Sequence, residues 1–354
     1  MNQHYYPDRL LLARQLRSLS QVAACRLVGL KQPLLSKAER GLTTISPDQL
    51  QQCADAYQLP LSFFKAPTPN AAAGHFYYRR KLSISEYTIA AFEARIYILL
   101  DIIDNVMQDV ELPPCTLADD SLANATPQEA AQKVRFLLKI YRGAMPNLTT
   151  LLENNGIIVL PFDFGTDAID GTSTISPRGH KVIFINSTMP NDRVRFSMAH
   201  ELGHLILHVS RPPESHRDPE AEANAFAAEL LMPAAEIVQD FHKLKFDELA
   251  QLKRKWGVSM RALVQRARDT NFANQQTYRN LQIAFSKRGY NKHEPVDIPA
   301  ETPTLMAETL RLLQSELQYS KADLYQLMRI SPELYKEWFE PRCKIITFTP
   351  RAVK

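Results

Sequence analysis

The chain has 354 residues, of which 45% are hydrophobic and 23% are charged, and its formal net charge is +4. This length exceeds what one hydrophobic core usually serves, so we expect two or three domains. No apolar run approaches the roughly 20 residues that a membrane-spanning helix needs, which excludes an integral membrane protein. Four cysteines without paired spacing and the lack of a signal-peptide pattern indicate a reducing, cytoplasmic location.

The positive charge is concentrated in two segments. Residues 1–67 contain eight basic and four acidic residues, and residues 243–268 contain eight basic and two acidic residues. Basic segments in a nearly neutral chain indicate a polyanionic partner, most often nucleic acid. A solvated helix face is the alternative interpretation of each cluster.

The first 66 residues are predicted to form a series of short helices. Two of them are joined at Gly29, which gives the spacing of a helix-turn-helix motif. The second helix would present Gln32, Ser36, Lys37 and Arg40, which can contact base edges or phosphates. By spacing alone, a structural helical bundle explains the pattern equally well.

Several short motifs in this region fall in a specific order. They are Leu-Ser-Gln at 19–21, Val-Gly-Leu-Lys-Gln at 28–32, Leu-Ser-Lys at 35–37, Glu-Arg-Gly at 39–41 and Leu-Pro-Leu-Ser-Phe-Phe at 59–64. Together they resemble the XRE (Cro/repressor-like) DNA-binding family. The resemblance implies a five-helix domain over residues 1–66 that binds a double-stranded DNA operator, and a homodimer. Lys31 stands where the family usually has a capping Ser or Thr, so we expect it to contact a phosphate instead.

Residues 67–124 are predicted to hold a linker, centred on 66–74, and a long amphipathic helix from about 86 to 110. Beyond a further helix the periodicity changes. Short β-branched runs near residues 157–160, 171–175 and 182–186 predict a small sheet of three antiparallel strands.

A metal-binding pattern follows this sheet. His200 and His204 lie one helical turn apart on a helix predicted over 193–209, and Glu201 beside them can accept a proton from a metal-bound water. His208 is about 12 Å beyond His200 along the helix axis and cannot share an ion with both histidines. We interpret it as a residue that stabilises the helix end.

The third ligand must come from another element. The next predicted helix carries Glu220, Glu222 and Glu229, all flanking its apolar stripe, and periodicity does not choose among them.

Residues 195–205, which contain His-Glu-Leu-Gly-His, and residues 222–233, which end in Leu-Leu-Met-Pro, resemble the ImmA/IrrE metallopeptidase family. The resemblance implies a zincin-like peptidase domain over 125–242 with Zn²⁺ as cofactor. It implies that Glu222 completes a site with His200 and His204, and that Glu201 is catalytic. Glu220 is the alternative third ligand.

Residues 243–354 are predicted to be a helical C-terminal region without an assigned role. Its segment 252–263 has the character of a helix, a glycine turn and a second helix, and carries part of the second basic cluster. A second DNA-binding motif and packing against the peptidase domain are both open, and packing is favoured.

The sequence therefore predicts an α+β, mostly helical protein. We expect a DNA-binding transcriptional regulator whose zinc peptidase domain cleaves a repressor-like protein, or the chain itself, in a response to stress or to a mobile element. The alternative is an autoregulating repressor or antitoxin whose metal site is structural or sensory. Glu201 favours the enzyme, because a structural site needs no base.

Overall fold

The computed structural model describes residues 5–67, 84–117, 122, 124–209, 217–291 and 293–340. Most of the predicted linker at 66–74 lies outside these residues. Among the described helices, none is long and apolar enough to cross a membrane.

The chain folds into two compact units that do not follow chain order. The first comprises Met1–Pro69, Glu93–Val106 and Leu310–Lys354, and the second comprises Asn70–Phe92 and Met107–Thr309. The C-terminal region, predicted as one segment over 243–354, thus contributes to both units.

The first unit contains the five N-terminal helices that the sequence predicts. They are α1 (Pro7–Leu16), α2 (Gln21–Val28), α3 (Gln32–Glu39), α4 (Pro47–Tyr57) and α5 (Leu61–Lys65). Ser20 caps α2, and Ser46 forms a capping box with Gln49 at the start of α4. Between α2 and α3 the chain turns at Gly29, whose φ of 70° is left-handed and suits glycine.

A long helix, α6 (Glu86–Val106), begins in the second unit and ends in the first. It stops before residue 110, and a 3₁₀ turn over Met107–Asp109 follows it. The second unit then continues through helices and strands in chain order. These are α7 (Pro127–Leu137), α8 (Leu148–Glu153), β1 (Ile157–Phe162), β2 (Gly171–Ile175), β3 (Lys181–Asn186), α9 (Asn191–Leu207), α10 (Pro219–Leu231), α11 (Ala234–Asp240), α12 (Phe246–Trp256), α13 (Met260–Asp269) and α14 (Gln275–Lys287).

Three helices follow α14 in the chain. They are α15 (Leu305–Ser315), α16 (Lys321–Met328) and α17 (Pro332–Phe339).

The three strands form the predicted small sheet, but its strand directions correct the prediction. The order is β1-β3-β2, with β1 parallel to β3 and β2 antiparallel to β3, so the sheet is mixed. The four apolar residues at 157–160 are all buried. A strand that is buried on both faces has no alternating pattern that could reveal its neighbour or its direction.

Helix α9 lies in the middle of the second unit. It packs against α10 on one side and against β2 and β3 on the other. The closest approach of α9 to α10 is at Gly203, where an added Cβ would lie 3.1 Å from Phe226 Cδ1 and 3.3 Å from Ala223 Cα. This close packing brings the first turn of α10 beside the histidines of α9.

Candidate metal centre and DNA-reading helix

Helix α9 presents His200 and His204 on one face, as one-turn spacing requires. Their Nε2 atoms are 3.0 Å apart. The Glu220 carboxylate on α10 lies beside both, with one oxygen 3.5 Å from His204 Nε2 and the other 3.7 Å from His200 Nε2. One ligand atom from each of these three residues lies within 4.8 Å of the others.

This set of donors fits a divalent metal ion. Two imidazole nitrogens and one carboxylate are the ligands of many three-residue zinc sites with an open fourth position. Burial, together with the neighbouring His204, lowers the pKa of His200 to about 4. His200 is therefore neutral near pH 7, as a metal-binding histidine must be.

The Glu222 carboxylate occupies a different place. It accepts hydrogen bonds from Arg217 Nε and one terminal nitrogen, both at 2.7 Å, and lies 2.9 Å from His208 Nε2. Residues two positions apart on a helix do not face the same side. For that reason Glu220 faces the two histidines of the site, while Glu222 faces Arg217 and His208.

Both histidines are also held through their Nδ1 atoms. His200 Nδ1 lies 3.1 Å from the Asn224 side-chain oxygen. His204 Nδ1 lies 3.0 Å from Nδ1 of His208, the fully buried residue that ends α9. Each imidazole thus has one nitrogen directed toward the Glu220 carboxylate and the other anchored in the protein.

Glu201 is buried against the edge of the sheet. Ser173 on β2 donates a hydrogen bond of 2.8 Å to the Glu201 carboxylate. Burial raises the pKa of Glu201 to about 7, although His204 and the Ser173 hydrogen bond oppose the rise. A carboxyl group with this pKa can exchange a proton near neutral pH.

The second candidate surface is helix α3 in the first unit. Lys31, Gln32, Lys37 and Arg40 are exposed and Ser36 is half-buried. Lys31 precedes α3 without a side-chain cap, as expected.

A buried ion pair anchors this helix. Arg14 of α1 donates hydrogen bonds of 2.5 and 3.0 Å to the Glu39 carboxylate at the end of α3. The polar side chains of α3 are therefore displayed from a fixed element.

Two family models match the chain. Residues 10–64 match a helix-turn-helix family, and residues 152–268 match the IrrE N-terminal-like domain of the M78 peptidases. The chain is an XRE-type helix-turn-helix protein with an IrrE/ImmA-like metallopeptidase domain. No curated protein matches it significantly.

The IrrE-like match extends through α12 and α13, which carry the second basic cluster. Several of its cations are committed to contacts inside the second unit. Lys253 is buried between Asp192 at 2.6 Å and Glu294 at 2.8 Å, and Arg266 is buried against Glu229. Arg261 donates to Gln282 of α14. These contacts favour the packing role over a second DNA-binding motif.

The sequence analysis did not single out Ser173 or Asn224. Asn224 lies one turn after Glu220, and the same-face rule that paired the two histidines could have indicated it. Ser173 had no comparable signal, because its contact with Glu201 depends on how β2 and α9 pack.

Proposed function

We propose that the IrrE-like domain is a zinc-dependent endopeptidase that cleaves a repressor-like protein, or the chain itself, in a stress or mobile-element response. The DNA-binding domain would direct this activity to regulation. The observation that carries the proposal is Glu201, a buried carboxyl with a pKa of about 7 that lies next in the chain to His200.

The residues that would hold the metal are His200, His204 and Glu220. Glu220 replaces Glu222 in this proposal because its oxygens approach both Nε2 atoms. A bound Zn²⁺ would polarise a peptide carbonyl and lower the pKa of a water molecule. Glu201 would accept the proton from that water at its carboxylate and later deliver it to the leaving amine.

The hydrogen-bond chain behind His204 supports this assignment. A metal-binding Nε2 carries no proton, so the ring proton of His204 is on Nδ1 and is donated to Nδ1 of His208. The proton of His208 is then on Nε2 and is donated to Glu222, which Arg217 holds in place. Glu222 therefore acts on the metal site through His208 and His204, as outer-shell partners commonly do.

Strand β2 provides a place for the substrate. It forms one edge of the sheet, and among the described strands it pairs with β3 alone. An extended peptide can add to such an edge through backbone hydrogen bonds. Because Ser173 of β2 contacts Glu201, a peptide bound there would pass close to the catalytic carboxyl.

The test is cleavage by the purified, zinc-loaded full-length protein. It is incubated alone and with XRE-type repressors encoded near its gene, and products are identified by mass spectrometry. We expect Glu201→Gln to keep its zinc and to lose cleavage. The exposed Glu111 provides the matched control, since Glu111→Gln should cleave at the wild-type rate. Cleavage by Glu201→Gln at that rate would refute the mechanism.

We also propose that α3 reads an operator through Gln32 and Lys37, with Lys31, Ser36 and Arg40 in supporting contacts, and that the protein binds DNA as a homodimer. Each lost base contact should cost about 1–3 kcal/mol of specific binding. A double Gln32→Ala, Lys37→Ala variant with unchanged operator affinity would reject this placement. Sedimentation with and without DNA tests the dimer, and a monomer in both states would contradict it.

A further inference from the structure

The three helices at the C-terminal end repeat the architecture of the first three helices at an offset of 300 residues. Helices α2 and α16 both have eight residues, as do α3 and α17, and α16 and α17 begin at or next to the offset positions. Helix α15 precedes this pair as α1 precedes α2 and α3.

The turns between the helices repeat as well. Before the second helix, Ser18 and Gln318 have left-handed φ values of 52° and 59°. Between the second and third helices, Gly29 and Arg329 have φ values of 70° and 54°. A left-handed residue is uncommon outside glycine, so its recurrence at both equivalent turns indicates the same backbone path.

The helix caps and the buried positions agree with the same register. Ser20 and Ser320 cap the second helix of each set, and Ser331 caps α17 at the position where Lys31 precedes α3. The buried side chains also correspond in pairs. The pairs are Leu10 and Leu310, Ala13 and Leu313, Ala24 and Leu324, Val28 and Met328, Leu30 and Ile330, and Leu35 and Tyr335.

The exposed face of the repeat differs in charge from that of the N-terminal helices. Glu337 and Glu340 of the C-terminal segment stand at the positions of Lys37 and Arg40, and Pro332 stands at the position of Gln32. Lys321, at the start of α16, is engaged by Glu340 at 2.7 Å. Acidic side chains on this face repel DNA phosphates, so the repeat lacks the electrostatic requirement for DNA binding.

The repeat contacts helix α6 within the first unit. Asp101 of α6 is buried and accepts a hydrogen bond of 2.8 Å from Arg9 of α1 and one of 3.4 Å from Arg329, the left-handed residue of the repeat. Arg95 of α6 lies over the Trp338 ring of α17 at 5.7 Å. The N-terminal helices and the repeat therefore share α6 as a common partner.

We propose that residues 305–340 are a second helix-turn-helix unit that does not bind DNA and instead supports the DNA-reading helices through α6. The metallopeptidase unit is then an insertion between two related three-helix segments. The proposal rests on DNA reading by α3 and adds that reading requires the C-terminal repeat.

The first part of the test measures DNA contact in the full-length protein. Binding to a fluorescein-labelled 30-base-pair duplex is followed by anisotropy at several salt concentrations. Each lost phosphate contact lowers the slope of log affinity against log salt by about 0.9. We expect this decrease for Lys37→Ala and an unchanged slope for Lys336→Ala, its exposed neighbour-position counterpart in α17. A decrease for Lys336→Ala would overturn the claim that the repeat is silent.

The second part tests support of the DNA-reading helices. Ile330 is buried in the repeat, whereas Leu312 is 39% exposed. Ile330→Asp should weaken duplex binding at least tenfold while its zinc content stays at the wild-type level, which reports a folded second unit. Leu312→Asp should change neither.

Unchanged duplex affinity in Ile330→Asp would overturn the proposed support, with DNA reading by α3 intact. A wild-type protein that binds no duplex would refute DNA reading itself and the proposal with it.

Discussion

The contact between α9 and α10 at Gly203 should control metal binding more than it controls stability. In Gly203→Ala, the new Cβ would lie 3.1 Å from Phe226 Cδ1 and 3.3 Å from Ala223 Cα. Overpacking of this kind costs about 1–3 kcal/mol, and the higher helix propensity of alanine returns about 1 kcal/mol. The net loss of unfolding free energy should therefore be about 0–2 kcal/mol.

The effect on the metal should be larger, because α10 carries Glu220. Relief of the contact requires α10 to move by a few tenths of an ångström, whereas metal–ligand distances tolerate about 0.2 Å. We expect the zinc dissociation constant to rise at least tenfold, measured by competition with a chromophoric chelator.

Gly289→Ala is the matched control for this prediction. Gly289 has a φ of 72° and no atom within 4 Å of an added Cβ, so alanine there costs about 1–2 kcal/mol of backbone strain. It should lower the melting temperature and leave zinc affinity unchanged. If Gly203→Ala bound zinc as tightly as the wild type, the packing of α9 on α10 would not position the third ligand.

Two further predictions concern buried polar groups in the second unit. His208→Ala should weaken zinc binding by about 10–100-fold, because it removes the outer partner of His204; a chelator titration that matches the wild type would count against the hydrogen-bond chain. Arg266→Ala should lower the unfolding free energy by about 3–5 kcal/mol, because it leaves the buried Glu229 carboxylate without its cation. The same variant should keep the wild-type salt dependence of DNA binding, and a smaller slope would mean that Arg266 contacts phosphate.

Elements with strong local signals were predictable from the sequence. Capping residues and left-handed turns define α2, α3, α4 and α7 within a residue or two, and one-turn spacing brings His200 and His204 together as expected. These features depend on residues that are close in the chain.

Features that depend on packing between distant elements were not predictable. The choice between Glu220 and Glu222 depends on which face of α10 meets α9, and both faces of that helix carry a carboxylate. The parallel pairing of β1 with β3 depends on the path of the chain between them.

The C-terminal repeat was missed for a different reason. In register, few residues recur in identical form: Leu10, Leu12, Ser20, Leu27 and Leu34. What the two segments share is burial, caps and left-handed turns.

The most direct test of the proposed metal centre is the zinc dissociation constant of Glu220→Gln compared with that of Glu222→Gln. Glu220→Gln replaces an anionic ligand by a neutral amide and should weaken binding by more than the 10–100-fold typical of outer-shell changes. Glu222→Gln keeps an oxygen that can accept from His208, so its loss should be smaller. Nearly full zinc affinity in Glu220→Gln, together with loss of zinc in Glu222→Gln, would contradict the assignment and place the third ligand at Glu222.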